Sequence, residues 1–176
     1  MKMGDGGFRP AYNVQFATEG GTRMIVSVDV TNQGSDGNQM SPIHEDVCQR
    51  YDKVPDNYTV DGGFATNDEI TKVASLGSRV VAPMTHQDQI AKRGGDPDAR
   101  RAGDSDEMFA FRQRMKTDEA KAMLKQRPSI AEFPNAECRN RGLQQFRVRG
   151  LTKVKTTTLW YAITFNFMRM LQLSVL

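Results

Sequence analysis

An α/β fold is what this sequence predicts, and three observations predict it. Two runs of alternating apolar and polar residues flank a short Gly-rich turn, a later apolar run ends in Asp61-Gly62-Gly63, and stretches of helical spacing lie between and after them, the longest closing the chain. With 176 residues, 38% of them hydrophobic and 26% charged, the chain has the material for one domain with a real core.

The elements follow in order. Gly4 to Gly7 reads as a polar turn that delivers the chain into a half-buried strand, Tyr12 to Thr18, in which Tyr12, Val14 and Phe16 alternate with Asn13 and Gln15. Glu19-Gly-Gly-Thr22 turns it into Met24 to Val30, with Met24, Val26, Val28 and Val30 on one face and Ser27 and Asp29 on the other, so the two runs form an antiparallel hairpin. A loop over 32–38 supplies Ser35 or Asp36 as the cap of a helix from about Asn38 to Tyr51. Tyr58 to Phe64 is a short buried strand ending in an acid and two glycines, Thr66 or Asn67 opens a helix to Ser75, and Arg79 to Met84 is another short strand.

From Thr85 to Ser105 the periodicity gives way to Gly, Asp, Arg and Pro, as in a surface insertion or lid at about 85–115. Helical spacing returns over Ser105 to Met115 and Thr117 to Lys125. Pro128 suits a helix start and Pro134 argues for a break or kink, so the stretch around Glu132 reads as a separate, interrupted helix. The last helix, about Thr152 to Leu173, carries Val154, Tyr161, Phe165, Met168 and Leu171 on one stripe.

Charge is unevenly distributed. From Lys121 onward there are ten Lys or Arg against two Glu, about +8, which leaves about −5 for the preceding residues given the overall +3. That asymmetry points to a polyanionic partner for the C-terminal part, with nucleic acid first among candidates. Cys48 and Cys138 show neither paired nor zinc-ligand spacing, which fits a reducing cytoplasm, and the N-terminus has no signal-peptide pattern. The apolar run Leu159 to Met168 is too short to span a bilayer. His44 and His86 have no nucleophile near them in sequence and read as surface residues.

Asp61 stands at the carboxyl end of a strand, where open sheets build their sites, and the glycines beside it allow close approach of a ligand; the same tripeptide also makes an ordinary turn. A second carboxylate at that edge would favour a bound divalent cation with oxygen ligands, and Glu132, set among basic residues, is the candidate.

Tyr12-Asn-Val-Gln15, Asp61-Gly-Gly-Phe64, Arg127 with Glu132 and Arg139, the run Arg149-Gly-Leu-Thr-Lys-Val154 and Asn166-Phe-Met-Arg169 together resemble the C-terminal catalytic part of bacterial insertion-sequence transposases of the DDE type. The resemblance implies a ribonuclease H-like mixed sheet flanked by helices, three carboxylates, two Mg²⁺ ions, cutting and joining of DNA at transposon ends and target, and a homodimer of the complete enzyme. Carried over by position, Asp61 is the second acid and Glu132 the third, both metal ligands, while Arg127 and Arg139 lie near DNA phosphates; the charge asymmetry adds Arg147, Arg149 and Lys153 as DNA-binding candidates.

Two departures stand out. Leu124 occupies a position where many relatives have tyrosine, and the first acid, which in the family precedes the Tyr-Asn-Val-Gln strand, has no counterpart, so the expectation is a truncated copy lacking its first strand. Asp5 and Asp29 do not match the family position, and Asp96-Pro-Asp98 lies in the insertion. Two other readings remain: a noncatalytic nucleic-acid-binding domain in which Asp61 and Glu132 only cap or pair, and a self-contained nuclease in which Asp29 joins them.

Overall fold

The computed structural model describes residues 7, 11–84, 90, 92–96 and 98–174, and shows a mixed α/β protein with two small sheets and five helices among them. In chain order they are β1 (Asn13–Thr18), β2 (Ile25–Thr31), α1 (Met40–Tyr51), β3 (Asn57–Thr59), α2 (Asn67–Ser75), β4 (Arg79–Val81), α3 (Asp106–Met115), α4 (Asp118–Asn140) and α5 (Leu151–Ser174). The strands form two separate pairs rather than the single mixed sheet that was expected, because no described strand bridges them. The chain divides into two compact units, Met1–Ser35 with Pro128–Leu176, and Asp36–Arg127. Residues 4–6 of the turn expected at Gly4 to Gly7, Asp5 among them, and His86 lie outside the described residues.

In the first unit β1 and β2 form the expected antiparallel hairpin, with Val14 opposite Val30 and Phe16 opposite Val28. Glu19 closes its turn by accepting the Gly21 and Thr22 N–H groups at 2.9 and 2.6 Å. The buried side chains of β2 are Ile25, Ser27, Val28 and Val30, so the burial does not follow the clean alternation that the sequence suggested. A two-stranded hairpin is marginal alone, and α5 supplies its cover. Ile25 and Val28 pack with Cys138, Ala162 and Phe165, joined by Phe16, Phe133, Leu143 and Tyr161. Burial raises the Cys138 thiol to about 11, so it behaves as a small apolar residue.

The stripe on α5 differs from expectation. Val154, Thr158, Ala162 and Phe165 are buried, whereas Met168 and Leu171 are exposed. Apolar residues occur all round this helix, so periodicity cannot say which face turns inward. Asn166 decides it: its Oδ1 accepts the Ile25 N–H and its Nδ2 donates to the Ile25 carbonyl, both at 2.8 Å.

Helix α4 also departs from expectation, running unbroken from Asp118 to Asn140 through Pro128 and Pro134. Each proline forfeits one helical hydrogen bond and crowds the carbonyl four residues earlier. Burial of Pro134 and the packing of Phe133 and Cys138 in the core hold the helix together across that defect. The division between the two units falls within this helix, at Arg127 and Pro128.

The second unit surrounds the parallel pair β3 and β4, in which Tyr58 faces Val80. Its core combines Val80 and Val81 with Met40 of α1, Ile70 and Val73 of α2, and Met108 and Phe111 of α3. Thr66 caps α2 as expected, accepting the Glu69 N–H. Neither Ser35 nor Asp36 caps α1; the fully buried Glu69 of α2 accepts the Ser41 N–H at 2.7 Å and the Ser41 hydroxyl at 3.0 Å. Burial opposes ionisation of Glu69, but these bonds and Lys72 outweigh it and lower its pKa.

His44 is not on the surface but fully buried. The Ser78 hydroxyl donates to the Pro55 carbonyl at 2.6 Å and therefore accepts from His44 Nε2, 2.6 Å away. That leaves Nδ1 as the acceptor facing Cys48, and Tyr58 stacks edge-on to the ring. Burial lowers the His44 pKa, in keeping with a neutral ring. No described helix is long and apolar enough to cross a membrane.

Just ahead of α3, Asp104 forms a buried ion pair with Arg112 of that helix through two hydrogen bonds, Nε to Oδ2 at 3.0 Å and Nη2 to Oδ1 at 3.3 Å. The bond from Arg112 holds the Asp104 carboxyl below its usual pKa. A carboxyl lowered in the folded state adds stability above its unfolded pKa and loses it as pH falls through the folded value. Asp104→Ala should therefore cost about 3–5 kcal/mol at neutral pH by stranding Arg112, with the difference from the parent shrinking in acid; urea denaturation at pH 7 and pH 3 measures both.

Candidate functional site

Asp61 lies just past β3, whose pairing is extended by the Val60 N–H donating to the Val81 carbonyl at 3.0 Å. The chain then turns at once: the Phe64 N–H returns to the Asp61 carbonyl, and the Gly62 N–H donates to Asp61 Oδ1 at 2.7 Å. The carboxylate is largely exposed, and Arg127 Nη2 stands 3.8 Å from Oδ1. A side chain at Gly63 would meet Asp36 Oδ2 at 3.5 Å, so a second carboxylate flanks the turn. Both neighbours were missed by sequence reasoning, which gave Asp36 to a helix cap and Arg127 to DNA; contacts made by folding leave no local signature.

Glu132 sits exposed on α4 and belongs to the other compact unit. The basic candidates on that unit cluster around the connection between α4 and α5. Arg139, Arg147, Arg149 and Lys153 are all exposed, and their side chains form no ion pair among the described residues. By contrast Arg141 pairs with Glu137 at 3.4 Å and Lys155 with Asp29 at 3.0 Å.

The connection is tied down at several points. At the end of α4, Gly142 adopts φ of 107°, and the Leu143 N–H donates to the Cys138 carbonyl, which folds Leu143 into the core. Phe146 meets Tyr12 edge to face with ring centres 6.0 Å apart, and the Gly150 N–H donates to the Tyr12 hydroxyl at 2.9 Å. Arg147 and Arg149 lie between these two anchors, so the first residue of the Tyr-Asn-Val-Gln motif holds the loop that displays them. The motif Asn166-Phe-Met-Arg169 has a matching role: beside the Asn166 pairing, Arg169 Nε donates to the Thr22 carbonyl at 2.7 Å.

Asp61 and Glu132 offer hard oxygen donors of the kind that Mg²⁺ takes. Among the described residues, however, no group of three or more His, Cys, Asp or Glu side chains is placed to hold a metal ion. Asp29, which the nuclease reading adds to them, is engaged by Lys155. A cleft of about 350 Å³ opens between the start of α2 and the start of α3, lined by residues including Asp68, Thr71, Lys72 and Asp104, and holds none of the expected site residues.

A family model described as "Transposase DDE domain" matches residues 101–171. The match supports a DDE-type transposase. In this transposase-like segment lie α3, α4 and most of α5, and with them Glu132 and each of the basic candidates; Asp61 precedes it. No curated protein and no solved structure matches the chain.

If the Tyr12 hydroxyl anchors the loop, Tyr12→Phe should cost about 0.5–1.5 kcal/mol and speed amide hydrogen exchange at Gly150. Unchanged exchange there would show that Phe146 packing alone holds the loop.

Proposed function

We propose that this chain is catalytic-domain material of a DDE transposase, of ribonuclease H-like fold, that acts on DNA strands during movement of an insertion sequence. The observation that carries the proposal is the transposase-domain match over 101–171, which contains Glu132 and the exposed basic residues around it. Charge supports it as well: about +8 resides in the residues from Lys121 onward.

In this reading Asp61 and Glu132 are metal ligands, and Arg139, Arg147, Arg149 and Lys153 contact phosphates, with DNA ends and target as partners and a homodimer as the working form. Bound Mg²⁺ would supply Lewis acidity at phosphorus and at the entering and leaving oxygens. The chain's own residues do the rest. Arg127, 3.8 Å from Asp61, sets a positive charge beside that carboxylate, and the anchored loop presents two guanidiniums to the backbone without first having to order.

A noncatalytic DNA-binding domain is the second reading, favoured by the lack of any metal-binding trio among the described residues. Metal separates the two. The first predicts that with DNA present Mn²⁺ binding is lost in both Asp61→Asn and Glu132→Gln. Mn²⁺ binding that ignores both substitutions supports the second reading. Metal-dependent cleavage abolished by Asp29→Ala would instead make Asp29 the missing acid.

A further inference from the structure

Helix α5 keeps one face on the hairpin and shows the opposite face to solvent, although that face is apolar. Leu159, Trp160, Ile163, Phe167, Met170 and Leu171 are 37% to 65% exposed. At about 200 Å² per large side chain this is roughly 600 Å² of apolar surface, the upper end of what monomers expose and a mark of an interaction site. Trp160, Ile163, Phe167 and Met170 recur at intervals of three and four residues, the spacing of a helix-packing seam. Arg169 is the single charged residue from Thr156 to Ser174, and its guanidinium is held by the Thr22 carbonyl.

We propose that this seam is a homodimer interface in which α5 packs antiparallel against α5 of a second copy. Burial of both faces removes roughly 1,200 Å², the threshold for a specific interface. The seam is self-complementary only in the antiparallel sense. A two-fold axis between Ile163 and Phe167 sets Trp160 against Met170 and Ile163 against Phe167, so each layer joins an aromatic ring to an aliphatic or thioether chain. Parallel packing would place Trp160 on Trp160 and Phe167 on Phe167, overfilling those layers and underfilling the ones between. An uncharged seam offers no handle to a charged partner. The proposal gives a surface to the homodimer part of the proposed function and does not depend on the DNA chemistry, so a chain that stays monomeric would sink this inference and the homodimer with it, and leave the metal and phosphate roles standing.

Trp160 is the only tryptophan, so its emission reports the seam directly. The full chain should form dimers across about 1–100 μM in analytical ultracentrifugation, with Trp160 emission shifting to the blue as dimers form. Ile163→Glu should weaken dimerisation by at least about 100-fold and return the emission to that of exposed tryptophan, with the far-ultraviolet circular dichroism unchanged because the side chain is exposed. Adding Phe167→Lys to the same chain should restore dimers, since the antiparallel register sets the introduced acid of one copy against the introduced base of the other. A parent chain that is monomeric throughout, dimers indifferent to Ile163→Glu, or a double variant no better than the single one would each overturn the proposal. So would a blue shift that appears only with phosphatidylglycerol vesicles and leaves the mass monomeric.

Discussion

The pairing of the Asn166 amide with both backbone groups of Ile25 is the contact on which the first unit depends. A side-chain amide presents an N–H donor beside a carbonyl acceptor, as a peptide group does, so Asn166 satisfies Ile25 of β2 as a neighbouring strand would. It fixes the rotation of a helix that is apolar on every side. Once that rotation is set, Ala162 and Phe165 enter the core, Lys155 reaches Asp29, Arg169 reaches Thr22, and Gly150 arrives at Tyr12. The loop bearing Arg147 and Arg149 inherits its position from this series.

Much of the local structure was legible in the residues. Alternation around Glu19 to Thr22 gave the hairpin, Thr66 gave the start of α2, and the long apolar run gave α5, because each is encoded by neighbours in sequence. What escaped was set by long-range contacts. Glu69 caps α1 from another helix, His44 is buried by Ser78 and Tyr58, and α4 continues through Pro134 because the core pays for the lost hydrogen bond. The inward face of α5 was misjudged for the same reason: a helix with apolar residues on every side has no readable orientation.

The candidate site divides the same way. The motifs singled out Asp61, Glu132 and the basic run as candidates, and the family match over 101–171 agrees with the resemblance for those of the motifs that fall within it. Their environments were not readable. Arg127 lies beside Asp61, Asp36 flanks Gly63, and Tyr12 anchors the basic loop from more than a hundred residues away in sequence. Two residues of the quoted motifs, Tyr12 and Asn166, therefore act as supports for the surface that displays the charges.

That surface is the central claim, and the salt dependence of DNA binding tests it most directly. Each phosphate contact on duplex DNA contributes about −0.9 to the slope of log K against log salt. Comparing the parent chain with the Arg147→Ala/Arg149→Ala double variant, on several unrelated duplexes, should show a slope reduced by about 2 and binding weakened about equally on every sequence. An unchanged slope, with affinity at low salt intact, would contradict the account and place the DNA contact elsewhere on the molecule.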